Sequence, residues 1–204
     1  MLFCTFRNED TRLPYFLAYY RDLGINHFIM VDNDGNDGGA AFASVQPDVS
    51  LWSTKAAYGD ARYGMDWLTY LQGKYAPGHW ALTVDVDEFF VYPFCDTRPI
   101  SALADWLDAS LVRSFGAMLL DMYPKGPVGQ TAYEKGADPF EIARWFDPGN
   151  YIMTKNKLLQ NLWIQGGPRA RTFFASKPKQ APALNKVPFV KWQRSYTYVS
   201  STHM

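Results

Sequence analysis

Asp85-Val86-Asp87-Glu88 stands directly after the apolar run Trp80-Ala81-Leu82-Thr83-Val84 and directly before Phe89-Phe90-Val91. A buried strand comes to the surface at that point, and strand ends are where α/β proteins bind ligands. Side chains alternate with a period of two along an extended chain, so the spacing predicts that Asp85 and Asp87 face one side and share one hard divalent cation. A bound cation would offset the repulsion between the two acids. The competing reading is an acidic turn after a strand, which does not by itself call for two acids at the end of so apolar a run.

Delivering such a site takes a series of strands and helices. Met1 to Phe6 reads as a short apolar strand, followed by a helix from Arg12 to Leu23 with Leu13, Phe16, Leu17 and Tyr20 at helical spacing. Gly24 is a natural C-terminal stop. His27 to Val31 is a second strand, leading into the polar loop Asp32 to Gly39, and Val49 to Ser53 is a third. Asp60 to Tyr75 reads as a long helix, ended by Pro77-Gly78 before the strand that delivers Asp85. A helix is expected from Ile100 to Leu111 and a strand from Gly116 to Met122. Beyond Tyr123 the prolines leave little periodicity, as expected of loops over a sheet edge. The alternation of strand and helix predicts an α/β fold with a largely parallel sheet.

The composition permits one compact domain over residues 1–204, with 48% hydrophobic and 20% charged residues and no linker dividing them. A net charge of zero provides no global field to gather nucleic acid, so none is expected as a partner. Cys4 and Cys95 form neither a disulfide framework nor a zinc site and read as reduced packing residues. No apolar stretch reaches the length of a membrane span, and the start lacks signal-peptide character. The expectation is a cytoplasmic protein, with peripheral contact at the inner membrane face left open. The 17% aromatic content suits sugar rings and core packing alike.

Three segments together carry a family resemblance: Phe6-Arg7-Asn8-Glu9, the loop Val31-Asp32-Asn33-Asp34 through Asp37-Gly38, and Asp85-Val86-Asp87-Glu88-Phe89. In order and spacing the chain resembles glycosyltransferases of the GT-A (nucleotide-diphospho-sugar transferase) fold. Its nearest likeness is to a family 2-type bacterial branch with an "RNE" start and a "DVDEF" metal motif. The resemblance covers most of the chain and is strongest over residues 1 to 92.

The resemblance implies a metal-dependent, inverting hexosyltransferase that moves a sugar from a nucleotide-diphosphate donor, UDP-linked by expectation, to a glycan or other acceptor in polysaccharide synthesis. It implies Mn²⁺ or Mg²⁺ on Asp87, and on Asp85 directly or through water, to stabilise the departing diphosphate. By resemblance Arg7, Asn8, Glu9, Asp32, Asn33 and Asp34 recognise base and ribose, Glu9, Asp32 and Asn33 foremost. Arg7 and Glu9 have a second reading, an ion pair that orders the loop. Asp60 is either a nucleotide contact or the N-cap of the helix after it. Gly166-Gly167-Pro168-Arg169-Ala170-Arg171 matches a "GGxRxR" segment of that branch, which assigns Arg169 or Arg171 to the diphosphate unless the turn is simply solvated, and Lys186 is a further candidate.

Relatives commonly take a further metal ligand from a late His. Here that is His203, at the end of a strand expected over Tyr198 to His203, or else a frayed terminal residue. The family continues past this point, so a shortened C-terminus is expected. Inverting transfer needs a carboxylate base, for which Asp121 is preferred over Glu141 and Asp147, with a strand-end turn acid as the other reading. Two alternatives remain: a sugar-nucleotide-binding protein without transfer activity, and a DxD phosphatase of the haloacid dehalogenase type. Against the phosphatase stand the late position of the motif and Phe89 in the place of Thr or Val.

Overall fold

The computed structural model describes residues 1–127, 129–157, 161–199 and 201–203. In chain order the elements are β1 (Leu2–Phe6), α1 (Leu13–Asp22), β2 (Phe28–Asp32), α2 (Gly39–Ser44), β3 (Val49–Ser53), α3 (Met65–Tyr75), β4 (Trp80–Thr83), α4 (Ile100–Ala109) and β5 (Ser114–Met118). Then come β6 (Met122–Tyr123), α5 (Pro139–Ile142), β7 (Trp145–Phe146), β8 (Tyr151–Lys155), β9 (Leu162–Gly166), α6 (Gly167–Phe173), a 3₁₀ turn at Pro178–Gln180 and β10 (Asn185–Lys191).

Six strands form the central sheet in the order β3-β2-β1-β4-β10-β5. β1, β2, β3 and β4 are mutually parallel where they pair, and β10 runs antiparallel to β4. The expected α/β architecture, a largely parallel sheet flanked by helices, is therefore what the chain forms. Parallel strands covered on both faces read as apolar runs rather than alternations. β2 is buried along its whole length, and β1 is buried except at Thr5. The helix expected at Arg12 forms with Leu13, Phe16, Leu17 and Tyr20 buried. Gly24, at φ +96°, ends it, with Ile25 N donating to Tyr20 O across 2.8 Å.

Contacts gather the chain into two compact units. Unit 1 holds 1–115, 134–137 and 188–202, and unit 2 holds 116–133, 138–187 and 203–204. Unit 1 buries Phe3, Phe16, Phe28, Met30, Leu68 and Leu82 as its core. Unit 2 consists of the β6–β7 ribbon, the β8–β9 hairpin and α6 around a small cluster including Ile164, Ala170 and Leu184. Leu184 N donates to Ile164 O across 2.7 Å, and Leu119 N to Leu184 O across the same distance.

Several boundaries differ from the sequence expectation. The helix expected from Asp60 begins at Met65, because Arg62, Tyr63 and Gly64 take left-handed φ values of 47°, 57° and 79°, which no right-handed helix accommodates. The strand expected over Gly116 to Met122 divides into β5 and β6. Tyr198 to His203 is not a strand in its described residues; bends and turns occupy it. β10 was hidden in the proline-rich region: Pro188 lies within it, and its ladder with β4 covers Phe189 to Lys191. α2 follows Gly38 inside what reads as loop, with Gly39 N donating to Asp37 Oδ1 across 2.9 Å.

Candidate functional site

Because β1, β2 and β4 are parallel, their carboxyl ends open on the same edge of the sheet. In unit 1 a cleft of about 310 Å³ lies there, lined by Thr5, Phe6, Arg7, Glu9, Asn33, Tyr58, Asp85, Val86 and Asp87. Arg7 and Glu9 follow β1, Asn33 follows β2, and Asp85 and Asp87 follow β4. The structure thus brings together five of the residues expected at a nucleotide and metal site.

The two acids reach the cleft differently from the strand-alternation argument. β4 ends at Thr83, and residues 85 to 88 form a turn closed by Glu88 N donating to Asp85 O across 3.0 Å. Asp85 N in return donates to Glu88 Oε2 across 3.3 Å. Val86 is buried, which anchors the turn, while Asp85 is half-buried and Asp87 exposed. The acidic turn set against the metal reading is what forms, and it carries both carboxylates into the cleft lining.

The backbone at residues 88 to 90, at the end of the turn, is held from α1. Tyr20, fully buried, donates its hydroxyl to Glu88 O across 2.8 Å and accepts from Phe90 N across 3.0 Å. Tyr19 donates to Phe90 O across 2.9 Å. Burial holds the Tyr20 phenol well above its ordinary pKa, so it stays a neutral donor and acceptor.

The expected nucleotide residues separate by role. Asn33 is buried, and its amide donates to Thr54 O and Ala56 O across 3.2 and 3.0 Å, so it also braces the segment beyond β3. Asp32 is buried and accepts from Gly35 N across 3.1 Å, which shapes the loop. Asn8, at φ 58°, accepts from Asn36 N across 2.7 Å. Glu9 pairs with Arg12 at 2.7 Å rather than with Arg7, and its carbonyl accepts from Arg12 N and Leu13 N at the start of α1. Asp34 is exposed, 3.9 Å from Lys55. Asp60 is exposed in the turn before α3, whose N-cap is Gly64, so its expected capping role falls away.

Two further residues of the cleft escaped the sequence reading. Thr5 Oγ1 is buried without a hydrogen-bond partner among the described residues, an unsatisfied polar atom behind the cleft wall. Tyr58 is pushed up to about 12, first by burial and then by neighbouring negative charge that includes Asp85, Glu88 and Asp87. A lone Thr in an apolar strand was the one available signal for Thr5. Tyr58 had none, because its position depends on the left-handed turn that seats Gly64 against both residues.

Asp85 and Asp87 offer hard carboxylate oxygens, yet no group of three or more His, Cys, Asp or Glu among the described residues could close a cage. Two carboxylates alone could hold a cation only with phosphate oxygens and water completing its shell.

The remaining expected residues belong to unit 2. Asp121 and Arg169 are joined to each other in a two-pronged ion pair, with Arg169 Nε donating to Asp121 Oδ2 across 2.7 Å. Arg171 grips Asp147 through Nε at 2.7 Å and Nη2 at 3.1 Å, and Tyr123 donates to the same carboxylate across 2.7 Å. The Arg171 and Tyr123 bonds hold the Asp147 carboxyl below its ordinary pKa. Lys186 is buried. His203 Nδ1 lies 2.6 Å from the carbonyl of Asn185, to which it can only donate, and Asn185 Nδ2 donates to His203 O across 2.9 Å. His203 is therefore seated rather than frayed.

No family model matches the chain, and no curated protein does. Among solved structures it is similar to the crystal structure of 4-diphosphocytidyl-2C-methyl-D-erythritol synthase, at 14% identity and a TM-score of 0.35, over 65% of this chain and 66% of that one. The chain thus spans just under two thirds of that protein's length. No helix among the described residues is long and apolar enough to cross a membrane.

Proposed function

We propose that the chain is a GT-A-type glycosyltransferase that moves a sugar from a nucleotide-diphosphate donor, UDP-linked, to a glycan acceptor. The observation that carries this reading is the unit 1 cleft, where the ends of three parallel strands gather Arg7, Glu9, Asn33, Asp85 and Asp87. Asp85 and Asp87 would hold Mn²⁺ or Mg²⁺, which when bound neutralises charge on the departing diphosphate. The chain's own groups do the rest. Arg7 offers a guanidinium to phosphate oxygens. The Glu9 carboxylate accepts hydrogen bonds from base or ribose donors, and Asn33 fixes the wall between β1 and β2. Tyr58 supplies a ring face and a neutral hydroxyl. Both oxygens of Asp121 are engaged by Arg169, so it meets an acceptor hydroxyl as general base only when that pair opens.

Calorimetric titration of UDP with and without Mn²⁺, on the native chain and on Asp87→Asn, tests the reading. The expected result is UDP binding that needs Mn²⁺ and weakens at least about tenfold in the variant. UDP binding that ignores both Mn²⁺ and the substitution would remove Asp87 from the donor site.

A further inference from the structure

The zero net charge of the chain conceals a division. Of its 20 Lys and Arg, nine lie in unit 2 and eleven in unit 1; of its 20 Asp and Glu, four lie in unit 2 and sixteen in unit 1. Unit 2 therefore carries a formal charge of +5 and unit 1 of −5, with His neutral. A field of one sign around a concave surface raises the local concentration of ions of the opposite sign.

Unit 2 has such a surface. A cleft of about 550 Å³ lies between the β8–β9 hairpin and α6 with the segment after it. The hairpin wall presents Thr154 and Gln165, and the far wall presents Arg171 and Lys179, with Asn150 at one end. Among the described residues, no carboxylate belongs to the lining. Asp147 sits behind Arg171 and takes its Nε and Nη2 edge, which orients the guanidinium while leaving Nη1 unused by that pair. Gln165, in the lining, is held by its amide nitrogen donating to Ala181 O across 2.5 Å and to Lys179 O across 3.2 Å. Gly166 shapes the floor: at φ 137°, an added Cβ would lie 2.1 Å from Asn150 O.

We infer that this cleft binds a negatively charged saccharide. The two cations suit a carboxylate or phosphate, the amides and the Thr154 hydroxyl suit sugar hydroxyls, and Ile152, Ala170 and Pro178 cover apolar ring faces. The charge of the ligand follows from the cleft itself. Calling that ligand the acceptor rests on the transferase reading.

The test is a titration of the full chain with tri-galacturonate, which brings carboxylates, with glucose 6-phosphate, which brings a phosphate, and with neutral maltotriose, alongside UDP with Mn²⁺. At least one anion is expected to bind about tenfold tighter than maltotriose, weakening about tenfold in the Arg171→Gln/Lys179→Gln double variant and falling as salt rises. Whichever anion binds identifies carboxylate or phosphate as the recognised group. Because Arg171 also holds Asp147, Lys179→Gln alone is the check on folding, expected to weaken binding about threefold with an unchanged melting temperature. Maltotriose binding as tightly as both anions, no anion binding, or indifference of anion binding to both variants would overturn the inference. So would UDP binding that survives Asp87→Asn and is lost in the double variant, since the cleft would then hold the donor. If anions bind as expected but UDP does not bind with Mn²⁺, the saccharide site stands and the transferase reading falls; the reverse pattern leaves that reading and removes the site.

Discussion

Replacing Tyr20 by Phe removes one oxygen atom that holds the backbone just beyond the acidic turn. The Tyr20 hydroxyl is buried, donating to Glu88 O at 2.8 Å and accepting from Phe90 N at 3.0 Å. The ring stays, so no large cavity opens and the cost lies in hydrogen bonding. Two lost bonds at about 1 kcal/mol each, raised because the buried Phe90 N–H is left without its acceptor, give about 2–3 kcal/mol. For a chain of this size about 1 kcal/mol lowers the melting temperature by roughly 2–4 °C, so a fall of roughly 4–12 °C is expected. Tyr19→Phe is the matched control: it loses one part-buried bond to Phe90 O and should cost about 1 kcal/mol, or roughly 2–4 °C. Because Glu88 closes the turn that presents Asp85 and Asp87, Tyr20→Phe should also weaken Mn²⁺-dependent UDP binding, about tenfold if roughly 1.4 kcal/mol of order is lost there. Scanning calorimetry and titration on the two variants decide the matter. Equal melting temperatures for both variants, or UDP binding untouched in a destabilised Tyr20→Phe, would refute the claim that this hydroxyl positions the site.

Gly64→Ala should cost about 1–2 kcal/mol, read as a lower denaturant midpoint: Gly64 sits at φ +79°, and its new Cβ would lie 3.0 Å from Tyr58 Cε2 and 3.1 Å from Thr5 Oγ1. It should weaken UDP binding too, since both crowded residues line the cleft; a midpoint equal to that of the native chain would mean that the left-handed turn does not form. A third expectation concerns acid. The Arg21 hydrogen bonds hold the Asp48 carboxyl below its ordinary value of 3.8, so this pair adds stability above that pH and loses it as pH falls through the lowered value. In Arg21→Gln the acid-side loss of stability should shrink by less than about 1 kcal/mol, because the pair is partly solvated, and urea melts between pH 2 and 6 on both chains would show it. An acid profile unchanged by the substitution would count against the pair.

Most of the strand–helix series and the acidic motif are legible in the residue order alone. Apolar runs at β1, β2 and β4, helical spacing at α1, and Gly24 as its stop are local signals, and local signals suffice where burial on both faces or on one stripe selects the residue types. They suffice for the parallel sheet as well, because helices between successive strands bring those strands back in the same direction. Tertiary structure decided what meets what. Thr5 comes beside Asp85 through the pairing of β1 with β4, whereas Tyr58 joins them because three left-handed residues at 62 to 64 turn the chain back onto β1, and no propensity signals such a turn for Arg or Tyr. Asp121, Arg169, Arg171 and Asp147 each carried a plausible single role in the sequence, but their mutual ion pairs arise between residues 24 to 48 apart, where spacing carries no information. β10 joined the sheet despite Pro188, because the ladder with β4 needs its N–H groups only from Phe189 onward. The same holds for charge: a sum of zero is a property of the sequence, whereas its separation into a −5 unit and a +5 unit depends on which segments the fold gathers together.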